Sequence, residues 1–215
     1  CIRDRVMPIT TPAIKVDSVK NYGGKVLLYG DTFDEAFDYA TSLAKKDGFT
    51  FIHPYDDQDV IVGQGTVGKE IFEEIGSSID AVFVPVGGGG LLAGLGTYLK
   101  SVSPNTKIIG VEPEDAACLK LALENNKRLA LKEVGLFADG VAVKQIGKKT
   151  FSLIKDWIDD VVTVSVDEMC ASVQDTFQET RIMSEPAGAL ALAGLKKYVQ
   201  SRGIKNKKLV AIHSG

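Results

Sequence analysis

An apolar run that empties into four consecutive glycines constrains this chain more than any other feature in it. Ala81-Val82-Phe83-Val84-Pro85-Val86 is strand length and rich in β-branched residues, and Gly87, Gly88, Gly89 and Gly90 follow without a break. Leu91, Leu92, Leu95, Tyr98 and Leu99 then recur at helical spacing. The pattern predicts a buried strand, a tight turn and a helix N-terminus. Glycines leave the backbone N–H groups uncovered, and the free N–H groups and positive dipole end of the helix point at the same spot, so an anion fits there without a lysine. A plain strand-to-helix turn would need only one glycine. The stretch therefore reads as a phosphate cradle.

Composition narrows the partners. With 215 residues, 45% apolar content and a net charge of -3, the chain has the make-up of a soluble globular protein large enough for a core. It carries no long Lys/Arg block, which argues against nucleic acid and anionic membrane as partners. Its apolar runs are strand length, well short of the roughly 20 residues a bilayer span needs. Cys1, Cys118 and Cys170 are widely spaced, without a C-x-x-C, and there are two histidines, so neither a disulfide framework nor a zinc site is indicated. A reduced, intracellular setting is expected.

Taken in order, residues 1–5 are polar and read as a leader or scar ahead of the fold. A short strand at Val6-Met7, a proline-punctuated turn and a short helix over 13–19 follow, closed by Gly23-Gly24. Residues 25–29 form a second strand, and Thr32-Phe33-Asp34-Glu35 is a capping box opening a helix that Gly48 stops. Residues 49–52 read as another strand, and 53–59 as a polar loop of a kind that often carries function. Beyond the cradle, 107–112 is a strand, which with its predecessor makes a βαβ unit of parallel strands. A helix over 116–124, a glycine-bounded loop over 135–143 and a strand over 160–166 come next. Ser165-Val166-Asp167-Glu168 is a second capping box, for a helix running to about Met183. A helix with Pro186 at its first position and a strand over 208–212 complete the pattern. The alternation is that of an α/β protein with largely parallel twisted sheets and helices on both faces, in which ligands bind beyond the carboxyl ends of the strands. The glycine turn, Glu112 with Pro113, and His213-Ser214-Gly215 all lie at such ends.

One competing signal is Gly63-Gln64-Gly65-Thr66-Val67-Gly68, which matches G-x-G-x-x-G and would propose a dinucleotide-binding module. Its preceding strand, Val60-Ile61-Val62, is very short, and Asp80 comes before the next strand rather than at its end, so the segment reads better as a glycine-rich helix start capped by Thr66.

Four stretches in order, PVGGGGLLAG at Pro85 to Gly94, GLFADGVAVK at Gly135 to Lys144, SEPAGALALAG at Ser184 to Gly194 and the terminal HSG, resemble the biosynthetic threonine deaminases (threonine ammonia-lyases). These are pyridoxal-phosphate enzymes of fold type II, the tryptophan-synthase β-like fold. The resemblance covers nearly the whole chain from Val6 to Gly215. It implies that Gly87, Gly88, Gly89, Gly90 and Leu91 give backbone donors to the phosphate of pyridoxal 5'-phosphate and that Ser214 bonds its pyridine nitrogen. It also implies that Gly140, in the Ala138-Asp139-Gly140 loop, and Glu185 lie near the ring. Glu185 reads equally well as a helix-start acid stabilised by the dipole. A hydroxyl opposite the ring nitrogen would make a weaker electron sink and favour β-elimination.

The implied activity is conversion of L-threonine to 2-oxobutanoate and ammonia, the committed step toward isoleucine, with L-serine as a lesser substrate. A homo-oligomer is implied when the protein is intact. The family's Schiff-base lysine sits in an early Ser-Phe-Lys-type segment upstream of residues resembling Val6-Met7-Pro8, and a regulatory domain follows the catalytic one in many members. On that comparison the chain is expected to be a catalytic-domain fragment, inactive alone and with no catalytic residue of its own. Residues 6–52 would belong to the smaller domain and 53–215 to the larger. Serine racemases and some relatives bind a divalent cation at positions corresponding to Glu112, Ala116 and Cys118. The cysteine leaves that hard-cation site incomplete, so no metal is expected and Glu112 is expected to serve structure. A serine ammonia-lyase or a serine racemase stays open as an alternative, and a non-catalytic interaction protein, which would not need four glycines after a strand, is a further one. The cytoplasm is implied for a bacterial source, a plastid or mitochondrion for a eukaryotic one.

Overall fold

The computed structural model describes residues 4–215. Of the expected leader, residues 1–3 lie outside the described residues, and Arg5 already opens the first strand. The chain divides into two compact units, Cys1–Ile52 and His53–Gly215.

In the first unit β1 (Arg5–Met7) and β2 (Val26–Leu28) pair in parallel, Val6 opposite Leu27, and α1 (Ala13–Asn21) is the crossover between them. α2 (Phe33–Asp47) starts at the capping box: Thr32 Oγ1 accepts the Glu35 N–H, and the Glu35 carboxylate accepts the Thr32 N–H. Gly48 closes it in the left-handed conformation that glycine adopts without strain. The strand expected over 49–52 does not form. Among the described residues this unit has only the β1-β2 pair, and the segment's apolar character goes into side-chain contact, Phe51 meeting the Phe37 ring edge-on at 5.4 Å.

The second unit is a parallel sheet in the order β5-β4-β3-β6, made of β3 (Ala81–Pro85), β4 (Lys107–Pro113), β5 (Asp160–Val164) and β6 (Leu209–Ala211). Successive side chains of a strand point to opposite faces, and in this sheet both faces are covered. Val82, Val84 and Ile108 pack with α3 (Gln58–Ile75), α4 (Gly90–Val102), α5 (Cys118–Glu124) and α6 (Lys148–Ile154). Phe83, Ile109 and Val111 pack with α7 (Val166–Thr180) and α8 (Pro186–Arg202). Two-sided burial explains why β3 reads as an unbroken apolar run rather than an alternating one. Burying Phe83 completely is worth about 2 kcal/mol on transfer scales.

Three further segments differ from the expectation set by sequence. The G-x-G-x-x-G segment is the interior of α3, not a strand-turn or a helix start. Its cap is Asp57, whose carboxylate accepts the N–H groups of Asp59 and Val60, while Thr66 bonds back to the Gly63 carbonyl inside the helix. That removes the dinucleotide module, which needs the glycines in a turn. The helix expected to reach Met183 stops at Thr180, with Arg181 left-handed at its end. And α6, which the sequence does not announce, forms because Asp56 supplies its cap from across the chain.

Candidate cofactor-phosphate site

The glycine loop sits where the carboxyl end of β3 meets the N-terminus of α4. The first N–H groups of α4 have no carbonyl partner inside the helix, as at every α-helix start, and there the dipole is positive. Gly89 is the N-cap, at φ 89°, a conformation closed to other residues without strain.

Each glycine is also demanded by what lies against it. A Cβ on Gly88 would fall 2.2 Å from the Tyr55 ring and one on Gly90 would fall 3.0 Å from the Tyr55 backbone. One on Gly89 would fall 2.7 Å from an Ile146 methyl, and one on Gly87 would fall 3.0 Å from Val141 Cα. The run of four is thus a packing requirement on the protein side as well as a means of leaving N–H groups bare.

Two elements reach the loop's carbonyls. The Gly88 carbonyl accepts from the Thr150 hydroxyl (2.8 Å) and from the Gly147 N–H (3.2 Å), and Thr150 is completely buried. The Gly87 carbonyl accepts from the Cys118 thiol at 3.5 Å. Burial and the neighbouring Glu112 push the Cys118 thiol well above its ordinary pKa, so it stays a donor.

α6 is held in turn by Asp56, whose carboxylate accepts the N–H groups of Lys148 (2.9 Å), Lys149 (2.7 Å) and Thr150 (3.2 Å). Asp56 is itself oriented by His53, whose Nδ1 accepts the N–H groups of Tyr55 and Asp56. Burial lowers the His53 pKa against the opposing pull of Asp56 and Asp57, favouring the neutral ring this acceptor role requires. Asp56→Ala leaves the α6 N-terminus uncapped and is expected to cost about 2 kcal/mol, read as a fall in the urea midpoint.

The other expected site residues gather at the N-terminus of α8. Glu185 is its N-cap, with Pro186 at the first helical position, and the Glu185 N–H donates to the Gly215 carbonyl. The Ser214 N–H donates to the Gly188 carbonyl, which sets the exposed Ser214 beside the same helix start. Ser184 bonds both His213 Nε2 and the Gly215 carbonyl. Its one proton serves the carbonyl, leaving the oxygen to accept from the ring N–H. Gly140 lies against this cluster: a Cβ there would be 3.0 Å from the Ala187 Cβ and 3.1 Å from a Glu185 carboxylate oxygen. Because Gly140 adjoins Val141, which touches Gly87, a continuous line of contacts runs from the glycine loop through the 139–141 turn to Glu185 and Gly215.

Glu112 stands apart from this line, completely buried, with its carboxylate accepting the N–H groups of Leu119 (2.7 Å) and Lys120 (2.9 Å). Both oxygens are used in capping α5. A groove of about 780 Å³ bounded by α3, α4 and α6, with Ile61, Val62, Tyr98 and Leu153 in its lining, contains none of the residues expected at the site. Sequence reasoning does not single out Tyr55, Asp56 or Thr150. The polar loop that holds the first two is a visible signal, whereas Thr150 has none. No helix among the described residues is long and apolar enough to cross a membrane.

Likeness to known proteins runs along nearly the whole chain. The profile of the family described as "Pyridoxal-phosphate dependent enzyme" matches residues 5–215. The chain is 55% identical over 210 residues to "Threonine dehydratase 1 biosynthetic, chloroplastic" of Solanum lycopersicum, a match covering 98% of this chain and 35% of that protein. It therefore spans about a third of the length of that curated relative. Among solved structures it resembles the processed form of threonine deaminase isoform 2 from Solanum lycopersicum, with TM-score 0.95 and 49% identity over 100% of this chain and 59% of that one. It also resembles serine racemase from Dictyostelium discoideum, with TM-score 0.84 and 31% identity over 99% of this chain and 67% of that one.

Proposed function

The chain belongs to the pyridoxal-phosphate dependent enzyme family, and from that premise we propose that the protein is an L-threonine ammonia-lyase. In this reading it converts L-threonine to 2-oxobutanoate and ammonia, as a step of isoleucine biosynthesis. The observation that carries the reading is likeness to a biosynthetic threonine dehydratase along almost the entire chain at 55% identity.

The residues present fit the cofactor. A helix N-terminus preceded by a run of glycines, with the Gly87 and Gly88 carbonyls occupied from behind and no acid in the first turn of the helix, offers a phosphate N–H donors. Bound there, pyridoxal phosphate supplies a sink for the electrons of an amino acid's α-carbon. The chain's own share is to hold and orient. Gly87 to Leu91 take the phosphate through backbone N–H groups. By the family resemblance Ser214 would offer the ring nitrogen a neutral hydroxyl in place of a carboxylate, and Gly140 and Glu185 would lie near the ring.

A second reading, a serine ammonia-lyase or serine racemase, draws on the likeness to the Dictyostelium racemase. Against the racemase stands the use of both Glu112 oxygens in capping α5, with Cys118 turned to the Gly87 carbonyl, which leaves a hard cation poorly served. The test is to supply the full-length protein with pyridoxal phosphate and either L-threonine or L-serine. 2-Oxobutanoate forming faster than pyruvate is the expected result. Pyruvate outrunning it, or D-serine accumulating, would replace this reading with the second.

A further inference from the structure

We infer that Thr150, assisted by Cys118, is a positioning residue of the phosphate cradle: by holding the Gly88 and Gly87 carbonyls behind the loop, these side chains aim the Gly89 and Gly88 N–H groups at the anion. The inference rests on the reading of Gly87 to Leu91 as the phosphate site.

Across a trans peptide the carbonyl of one residue and the N–H of the next point in opposite directions from one rigid plane, and the peptides of the described residues are trans. Fixing the Gly88 carbonyl therefore fixes the Gly89 N–H, aimed the opposite way. The same holds for the Gly87 carbonyl and the Gly88 N–H. Elsewhere in a protein the side chains limit how far such a plane can turn. In four successive glycines nothing intrinsic does, because glycine reaches both signs of φ readily. A cradle of bare glycines needs its planes held from outside.

The structure supplies those holds at two successive peptides. The Gly88 carbonyl takes two hydrogen bonds, from the Thr150 hydroxyl and the Gly147 N–H. The Gly87 carbonyl takes the Cys118 thiol. Thr150 is rigid in its own right: it is completely buried, it lies in the first turn of α6, and its N–H is one of the three that Asp56 receives. Orientation passes from the Asp56 carboxylate to the start of α6, from there to the Thr150 hydroxyl, and across the Gly88 peptide to the Gly89 N–H. A valine would fill the same volume and leave that peptide with the Gly147 bond alone. The thiol of Cys118 stays protonated, as its donor role requires.

A purely structural Thr150 would satisfy a buried carbonyl and nothing more, and the two roles separate in a binding experiment. In the full-length protein, Thr150→Val, Thr150→Ser and Cys118→Ala are compared with wild type for binding of pyridoxal phosphate and of pyridoxal, which lacks the phosphate. The 31P resonance of the bound cofactor and the unfolding midpoint are recorded alongside. Thr150→Val is expected to weaken pyridoxal phosphate about fivefold, the loss of one hydrogen bond's worth of orientation, and to leave pyridoxal unchanged. Its 31P resonance should move toward that of the free cofactor, and Thr150→Ser should restore both. Cys118→Ala, which keeps Thr150 and tests the second hold should the valine variant not fold, is expected to lose about twofold, again only for the phosphate-bearing ligand. Equal weakening of both ligands, or a lowered midpoint with the preference for phosphate intact, would overturn the positioning role. A wild-type protein that binds pyridoxal phosphate no tighter than pyridoxal would instead remove the phosphate reading itself, and the inference with it.

Discussion

Gly94→Ala is expected to destabilise the fold by about 3 kcal/mol or more, at the upper end of what overpacking costs. The reason is backbone, not side chain. A methyl on Gly94 would sit 2.2 Å from the Ile61 carbonyl oxygen and 2.7 Å from the Gly65 nitrogen. Neither atom can rotate aside, so α3 and α4 would have to separate along their contact. Gly68 reports the same closeness from the other helix, since a Cβ there would lie 2.8 Å from the Leu95 carbonyl oxygen. The cradle hangs on the first turn of α4, so a shift of that helix moves the N–H groups as well. Gly63→Ala is the control. Gly63 lies in α3 with nothing within 4 Å of its would-be Cβ, and alanine there should gain about 0.5–1 kcal/mol from helix propensity. Urea midpoints of the two variants give the answer. A dinucleotide turn would make Gly63 the more sensitive position, so a damaging Gly63→Ala beside a silent Gly94→Ala would mean that the glycines of 63–68 form a turn and not the interior of α3.

How much of the fold is legible in the sequence depends on whether a signal is local. Thr32 with Glu35 and Ser165 with Glu168 close their boxes within three residues, and both form as read. The strand, glycine turn and helix from Ala81 onward are likewise self-contained. α3 is disguised because its β-branched Val60-Ile61-Val62 mimics a strand while its cap, Asp57, sits among acids that look like a solvent loop. α6 is invisible for a different reason. Its opening Lys148-Lys149-Thr150 carries no cap of its own, and the carboxylate that starts it is Asp56, 92 residues earlier. Thr150 is hidden for a like reason, its acceptor on Gly88 lying 62 residues earlier. Of the cradle, its place in the chain is legible. That Tyr55, Ile146 and Val141 forbid side chains at its glycines is not, because those contacts are made only once the sheet and helices are assembled. The family resemblance names Gly140, Glu185 and Ser214; the line of contacts through Val141 is a property of the folded chain.

Glu112 supplies the second large effect, and it lies in pH. Complete burial raises its carboxyl pKa to about 7 from an ordinary 4.5, against the opposing influence of the Leu119 and Lys120 N–H groups and the Lys120 charge. Two backbone donors stabilise the anion but do not replace the water it gave up. The sign follows from proton counting. Between pH 4.5 and 7 the folded protein keeps a proton that the unfolded chain has released, so raising pH through this window favours unfolding. Below it both states are protonated and nothing is lost. Above it the full penalty applies, on the order of 3 kcal/mol for a shift of this size. Glu112→Gln keeps the neutral form and one carbonyl acceptor for the α5 N-terminus at every pH. Between about pH 4 and about pH 8 the stability of the variant relative to wild type should rise by about 3 kcal/mol, on top of a pH-independent cost for the second N–H group that the glutamine amide cannot accept. Taking the difference between the two proteins cancels every other group that titrates in the same range. Urea midpoints at the two pH values measure it. Parallel pH profiles for the two proteins would mean that Glu112 is already ionised at the lower pH, held charged by its two N–H bonds, and that the helix start of α5 outweighs burial.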